Sequence, residues 1–439
     1  MQAPALTSGR RLPGERLFVL ALLLLFAAFA GQYTVKVLKP GNRSAFVRWR
    51  EQIRQLEGAD IYSTYQYPNP PIMALLLRPL AELGPLAGAL LWFLLKVGMA
   101  LISLTFVFRL IESGGVPFPP GAKAVATLLS LPPLIGDLQH GNVNILIMFL
   151  VIVALFAWHR GYDLLGGMLL ALAVCCKVTP ALFVPYFLWK RQWRLLAGLA
   201  VGLGLFLFEI PGAVLGRDEN LALLQSWVNQ MIVPFLKYGL VTSEHPNQSL
   251  PGVVHRLLTH SPSFCDYPGG IYRPTEYHNL ADLGPTAARW LLRGLQALFG
   301  LMVVFVCRAP AKVRGGWRLA TEFAIILVGM LLFSERTWKH HSVTLMLPFA
   351  VLVYAVAVRP LSRWVRIGVI AAVAAALLLM LSASGVQTTR MADLAQVYGV
   401  YMWAFLLILG ALIACAFRAR PLEAHGESLS MTQPVRVRR

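Results

Sequence analysis

The chain has 439 residues, of which 57% are hydrophobic and only 13% charged, and its mean hydropathy is +0.64. A water-soluble protein of this length needs far more charge to cover its surface, so the composition excludes that class and reads as one integrated, helical, polytopic membrane domain. The net charge of +19 does not argue for a nucleic-acid partner, because the basic residues cluster at the ends of apolar runs, where they set topology and meet anionic lipid headgroups.

Residues 1–16 are polar and basic (Arg10, Arg11, Arg16) and are expected in the cytoplasm. Residues 17–30 form the first apolar run; Gly31-Gln32-Tyr33 is a poor cleavage site, so this run reads as a span rather than a signal peptide. A long outer loop, 34–85, follows. Within it residues 44–57 place Phe46, Val47, Trp49, Ile53 and Leu56 at helical spacing among Arg48, Arg50 and Arg54, the pattern of an interfacial amphipathic helix. Gly58 ends that helix, and the prolines of Tyr67-Pro68-Asn69-Pro70-Pro71 predict an extended turn.

Apolar runs at 86–110, 124–135, 145–158, 164–174, 181–189 and 195–210 predict further spans. The pair around Lys177 is short enough to be half-helices meeting in a protected cavity. A second outer loop covers 215–285 and carries a surface helix at 221–235. Runs at 290–307, 323–333, 343–358, 369–381 and 401–416 complete an all-α bundle of about twelve transmembrane helices within 17–417, with both termini inside. Residues 418–439 read as a disordered cytoplasmic tail. The five cysteines (Cys175, Cys176, Cys265, Cys307, Cys415) have no metal-ligand spacing and form no disulfide framework.

This topology gathers the unusual polar motifs on the outer face: Tyr67 to Pro71, Asp137 to Asn144, Lys177 to Pro180, Asn247-Gln248-Ser249 and Glu335 to His341. Polar residues at membrane depth are candidates for function by default. Each has a plainer account. Lys177 can snorkel to the interface, Asn142 and Asn144 can cap a helix, and His340-His341 can pack against Trp338. A transporter would need polar residues on both faces and inverted repeats. Lys96 is the only obvious charge deep in a span, apart from Glu209 near the end of its run, and no repeat is visible.

Taken in order, the motifs resemble the membrane glycosyltransferases of family 87 (the domain of unknown function 2029), within the GT-C superfamily, which are similar to polyprenyl-phosphate-mannose-dependent mannosyltransferases. The resemblance covers roughly residues 15–415 and rests on five pieces: Leu56 to Tyr62 with Tyr67 to Pro71; Gly141-Asn142-Val143-Asn144; Cys176-Lys177-Val178-Thr179-Pro180 with Trp189 to Arg194; Asn247 to Leu250; and Trp338 to His341. It implies transfer of a hexose, by default mannose, from a polyprenyl-phosphate donor to a lipid or glycan hydroxyl, with inversion. The reaction would occur on the periplasmic or exterior face of a bacterial inner membrane, with no cofactor. No Asp-x-Asp cluster is present, so no metal is expected.

The resemblance further implies a base for the acceptor and cations for the departing phosphate. Lys177, Arg336, Lys339 and His341 are the phosphate candidates. Asp60, Tyr62, Tyr67, Asn142, Asn144, Asn247, Gln248 and Trp338 are the substrate-binding candidates. The family's Asp, some eighteen residues before the position of Tyr62, is replaced here by Ser44. Asp137 and Glu335 are therefore the preferred carboxylates over Glu51, with His340 beside them as a catalytic candidate. The alternative is a non-catalytic homologue, or a lipid or glycan transporter, on the same fold.

Overall fold

The computed structural model describes residues 13–41, 44–310, 312–384 and 388–418. The expected disordered tail and nearly all of the N-terminal cytoplasmic segment lie outside them. Among the described residues seven helical stretches are long and apolar enough to cross a membrane: Arg16–Leu38, Pro85–Glu112, Trp193–Leu215, Pro285–Val306, Lys339–Val358, Arg363–Ser382 and Val400–Arg418. Shorter helices sit between them.

In chain order, α1 (Pro13–Leu38) leads into α2 (Ala45–Arg54), α3 (Ile61–Tyr65) and α4 (Pro71–Glu82). The expected interfacial helix is α2, and it buries Phe46, Trp49 and Ile53. The helix α4 was not expected. The prolines that forbid helix at 67–70 instead start one, because Pro71 at the first helical position needs no amide partner. Then come α5 (Pro85–Glu112), α6 (Pro120–His140), α7 (Asn144–His159) and α8 (Asp163–Cys176). A 3-10 turn, Thr179–Leu182, and α9 (Phe183–Trp189) form the expected short return after Lys177. The next pass is α10 (Trp193–Gly204) continued through a π turn into α11 (Ile210–Leu215).

The second loop holds α12 (Arg217–Trp227), α13 (Val233–Leu236), α14 (Leu250–Leu258) and one hairpin that the sequence reading did not anticipate. Its strands, β1 (Pro262–Asp266) and β2 (Arg273–Tyr277), pair antiparallel, with Cys265 opposite Pro274. The chain ends with α15 (Pro285–Val306), α16 (Gly316–Leu332), α17 (Met346–Val358, preceded by the 3-10 segment Lys339–Leu345), α18 (Arg363–Ser382), α19 (Thr389–Val397) and α20 (Val400–Arg418). With the shorter apolar helices α7 and α8 between them, the count is roughly compatible with the about twelve expected from hydropathy.

The centre is formed by α7 and α16, which are apolar and buried on almost every side. Helices α8 and α10 approach most closely, at glycines. A Cβ on Gly167 would lie 2.0 Å from the Leu195 carbonyl oxygen, and one on Gly198 would lie 2.3 Å from that of Leu164. Small residues at such crossings let two backbones pack by dispersion where lipid removes the hydrophobic drive. One end of the bundle is locked by buried ion pairs. Lys190 meets Glu322 at 2.8 Å and also donates to the carbonyls of Cys307 and Ala309, while the Tyr186 hydroxyl and the Ala309 amide donate to Glu322. Arg314 pairs with Asp163 over the Trp158 ring. The basic motif Trp189 to Arg194 therefore belongs to this end. The other polar motifs collect at the opposite one.

Candidate active site

The turn between α6 and α7 organises the second end. Gly141 caps α6 with φ +71°, and a Cβ there would meet Ser44 Oγ and the Tyr33 hydroxyl, each at 2.6 Å. Only glycine combines that backbone with that contact. Ser44 and Tyr33, 2.7 Å apart and buried, thus form the floor beneath the turn, so the position where the family's Asp is expected abuts it.

From this turn runs a chain of polar side chains. Lys96, halfway along α5, donates to the Asp137 carbonyl at 2.8 Å and to its Oδ2 at 3.2 Å, and both side chains are fully buried. Asp137 Oδ1 accepts from the Asn144 amide at 2.9 Å, and Asn144 Oδ1 accepts from Lys177 Nζ at 2.7 Å. The amide of Asn144 is thereby fixed in one orientation, nitrogen to the carboxylate and oxygen to the ammonium. Asp137 faces two cations, one directly and one through Asn144. That explains how a carboxylate and two lysines coexist in a bundle core, where lone charges are costly.

Beside this chain stand the histidines. Asn142 Oδ1 accepts from the Val143 amide, so its amide nitrogen faces His340 Nε2, 2.9 Å away. That assignment makes Nε2 the basic nitrogen of a neutral ring. The His140 ring lies 4.2 Å and Trp338 5.6 Å from His340, ring centre to ring centre. His340 and His341 face different spaces. His341 shares a void of about 20 Å³ with Lys177, Asn144 and Thr337, room for about one water. His340, with His140, Trp338, Lys36 and Lys339, lines the polar end of a groove of about 700 Å³ whose walls include Leu128, Pro132, Leu377 and Leu381. Lys36 donates to the Gln139 carbonyl and Lys339 to that of Ala383, both at 2.6 Å.

Other expected residues lie elsewhere. Glu335 and Arg336 are at the rim, 3.6 Å apart, and both reach Thr242. Asn247 uses every hydrogen-bonding position of its amide on main chain, at Thr242, Ser249, Glu335 and Thr337. Gln248 bonds His245, Gln396 and Tyr401. These two side chains fasten the second loop to the Glu335 hairpin and to α19–α20. Asp60 is the N-cap of α3, accepting from the amides of Tyr62 and Ser63 and from the Ser226 hydroxyl. Burial raises its pKa, but these hydrogen bonds together hold it below the ordinary 3.8. Tyr62 and Tyr67 are buried against each other, with Trp49 packed on Tyr67. Burial pushes both phenols far above their ordinary value, which removes them from proton transfer. Glu51 pairs with Arg50 on the surface.

Three residues outside the sequence candidates organise the site. Lys96 was visible as a lone charge in an apolar run. His140 lies within the polar stretch Asp137 to Asn144 but had drawn no role. Arg256 gave no signal; wholly buried in α14, it donates to five main-chain carbonyls, among them Ser243, Asn247, Gln396 and Val397. Among the described residues no group of three His, Cys, Asp or Glu is placed to hold a metal ion.

The sequence model of glycosyltransferase family 87 matches residues 67–335, which include the α6–α7 turn, Lys177, the second loop and the first part of the histidine hairpin. The chain belongs to this family. Two curated relatives are polyprenol-phosphate-mannose-dependent alpha-(1-2)-phosphatidylinositol mannoside mannosyltransferases. The protein from Mycolicibacterium smegmatis is 25% identical over 331 residues, 70% of this chain and 65% of its own length. The one from Mycobacterium tuberculosis is 31% identical over 138 residues, 28% of this chain and 31% of its own. The chain therefore spans just under two thirds of the first relative and about a third of the second. The crystal structure of ArnT from Cupriavidus metallidurans in the apo state aligns with 91% of this family 87 chain and 77% of its own, at 14% identity and a TM-score of 0.38.

Proposed function

We propose that this protein transfers one hexose from a polyprenyl-phosphate donor to a hydroxyl of a lipid or glycan acceptor, with inversion. In this reading the site faces the periplasm or exterior of a bacterial inner membrane. Mannose is the sugar named for the relatives. The observation that carries the reading is the groove. Its walls are apolar, as a polyprenyl chain requires, and it ends at His140, His340, Lys36 and Lys339, with Lys177 behind the neighbouring His341.

Lys177 holds the donor phosphate, for which the one-water void beside His341 must open into the groove on binding. An ammonium has three donors, and Asn144 takes one. The acceptor oxygen forms a bond to the anomeric carbon as the bond from that carbon to the phosphate oxygen breaks. The electron pair leaves with the phosphate, where Lys177 and His341 stabilise it. The hydroxyl proton goes to His340 Nε2, where the acceptor hydroxyl displaces the Asn142 amide. Asp137 is the counter-ion that orients Asn144 and Lys177, both of its oxygens being already occupied.

The test is label transfer from radiolabelled polyprenyl-phosphate mannose to total membrane lipids by the purified protein. Transfer by wild type and its loss in Lys177→Ala and His340→Ala is the expected result. Full transfer by both variants removes these roles. No transfer by wild type from mannose, glucose or arabinose donors favours a non-catalytic homologue, the reading that Ser44 motivates.

A further inference from the structure

A second cavity, of about 420 Å³, lies away from His140, His340 and His341, between residues 235–241, α14 and the first three turns of α15. Arg289 and Arg293 point into it from successive turns of α15, joined by His255 and His260. Among the described residues neither arginine has a carboxylate within ion-pair distance. Arg289 Nη2 donates to the Tyr238 carbonyl at 3.1 Å, but its Nε is buried with no partner. Arg293 lies over the Trp290 ring at 5.2 Å. The one lining carboxylate, Asp282, accepts from the His260 amide.

The cavity sits where a span begins. Arg293 is eight residues, about 12 Å, inside α15. Leu236, Tyr238, Leu240 and Trp290 around it are all more than half exposed, at 68%, 51%, 61% and 63%. Apolar side chains left bare at a membrane boundary are covered by acyl chains, and amphipathic aromatics such as Tyr and Trp mark that depth. An unpaired arginine pair there, with one nitrogen buried and unpartnered, lacks an anion with two or more acceptor oxygens.

We propose that this cavity binds the phosphate headgroup of an anionic phospholipid, at a site separate from the transfer site. Arg289 and Arg293 fork onto the phosphodiester, His255 and His260 border the rest of the headgroup, and the acyl chains run down the exposed face of α15. The assignment does not depend on the transfer reaction.

The experiment uses the full chain in phosphatidylcholine nanodiscs containing phosphatidylglycerol with a diazirine in one acyl chain, followed by mass mapping after photolysis. Label is expected on residues 235–241 and 285–296. Unlabelled phosphatidylglycerol should displace it and extra phosphatidylcholine should not. In Arg289→Gln/Arg293→Gln the labelling affinity should fall at least about tenfold with the melting temperature unchanged. Label absent from both segments, or displaced equally by phosphatidylcholine, overturns the proposal. So does a folded double variant that labels as wild type does. Displacement by millimolar inorganic phosphate would make this a free-phosphate site and would also overturn it. Should the double variant not fold, competition on the wild type decides alone.

Discussion

Removing either member of the Lys96–Asp137 pair should be costly, and removing both should be much less so. At 3.2 Å and an effective dielectric of about 20, two unit charges attract by about 5 kcal/mol. Against this stands the cost of a charge at the centre of a span, about 2.5–3.5 kcal/mol on insertion scales. A residue left alone, with neither partner nor water, should therefore cost about 3–5 kcal/mol. Lys96→Met leaves Asp137 buried with only the Asn144 amide, and Asp137→Asn leaves Lys96 with only a carbonyl and the Trp92 ring. The double variant Lys96→Met/Asp137→Asn removes both charges, while an asparagine oxygen can still accept from Asn144. Unfolding in mixed micelles by titration with SDS should show both single variants strongly destabilised. The double should be at least about 2 kcal/mol more stable than the sum of the two losses. Additive losses, or a neutral Lys96→Met, would refute the account of the pair. In the same double variant, transfer that persists excludes Asp137 as the base.

Three further outcomes follow from the geometry. Lys177→Ala should lower the transfer rate by about 10²–10³-fold, the usual effect of removing one pre-oriented electrostatic contact to a developing charge, with unfolding little changed; normal turnover kinetics would remove Lys177 from the phosphate. Gly141→Ala should destabilise by at least about 1–2 kcal/mol from its left-handed backbone alone, with the approach to Ser44 and Tyr33 added, and a melting temperature equal to wild type would contradict the floor beneath the α6–α7 turn. Asp60→Ala should cost about 1 kcal/mol as a lost N-cap yet keep transfer near wild type. In wild type the same contribution is present at neutral pH and is lost as acid takes Asp60 through its depressed value, below the ordinary 3.8, because the proton removes the charge that its donors favour. Loss of transfer in a folded Asp60→Ala would instead make it a substrate contact.

How much of this was legible in sequence depended on whether one residue or a pair carried the information. Hydropathy located the long passes, and the amphipathic spacing around Trp49 located α2, because both are properties of a continuous stretch. The motifs at Asn142, Lys177 and His340 were legible because polar residues beside apolar runs need a reason to be there. Position in the motif did not reveal role. Asn247 and Gln248 are as conspicuous in the sequence as Asn144, yet their amides are spent on main chain. The helix α4 was missed because a proline excludes helix before it and permits one after it, and a pattern of prolines does not say which.

The partner of Lys96 could not be read at all. It is 41 positions away on another helix, and only the packing of α5 against α6 and α7 brings the two together. This bears on the base as well as on the fold. Counting carboxylates along the chain makes Asp137 the natural replacement for the residue that Ser44 displaces. The structure gives Asp137 a task that already uses both oxygens, and it puts the basic nitrogen of His340 beside the groove. A buried carboxylate held by lysine on one side and asparagine on the other has little freedom to take a proton, but it has the charge to keep Lys177 ionised and aimed. In the proposed transfer the base is therefore His340, whose Nε2 the Asn142 amide nitrogen already faces, rather than a carboxylate at the position of Ser44.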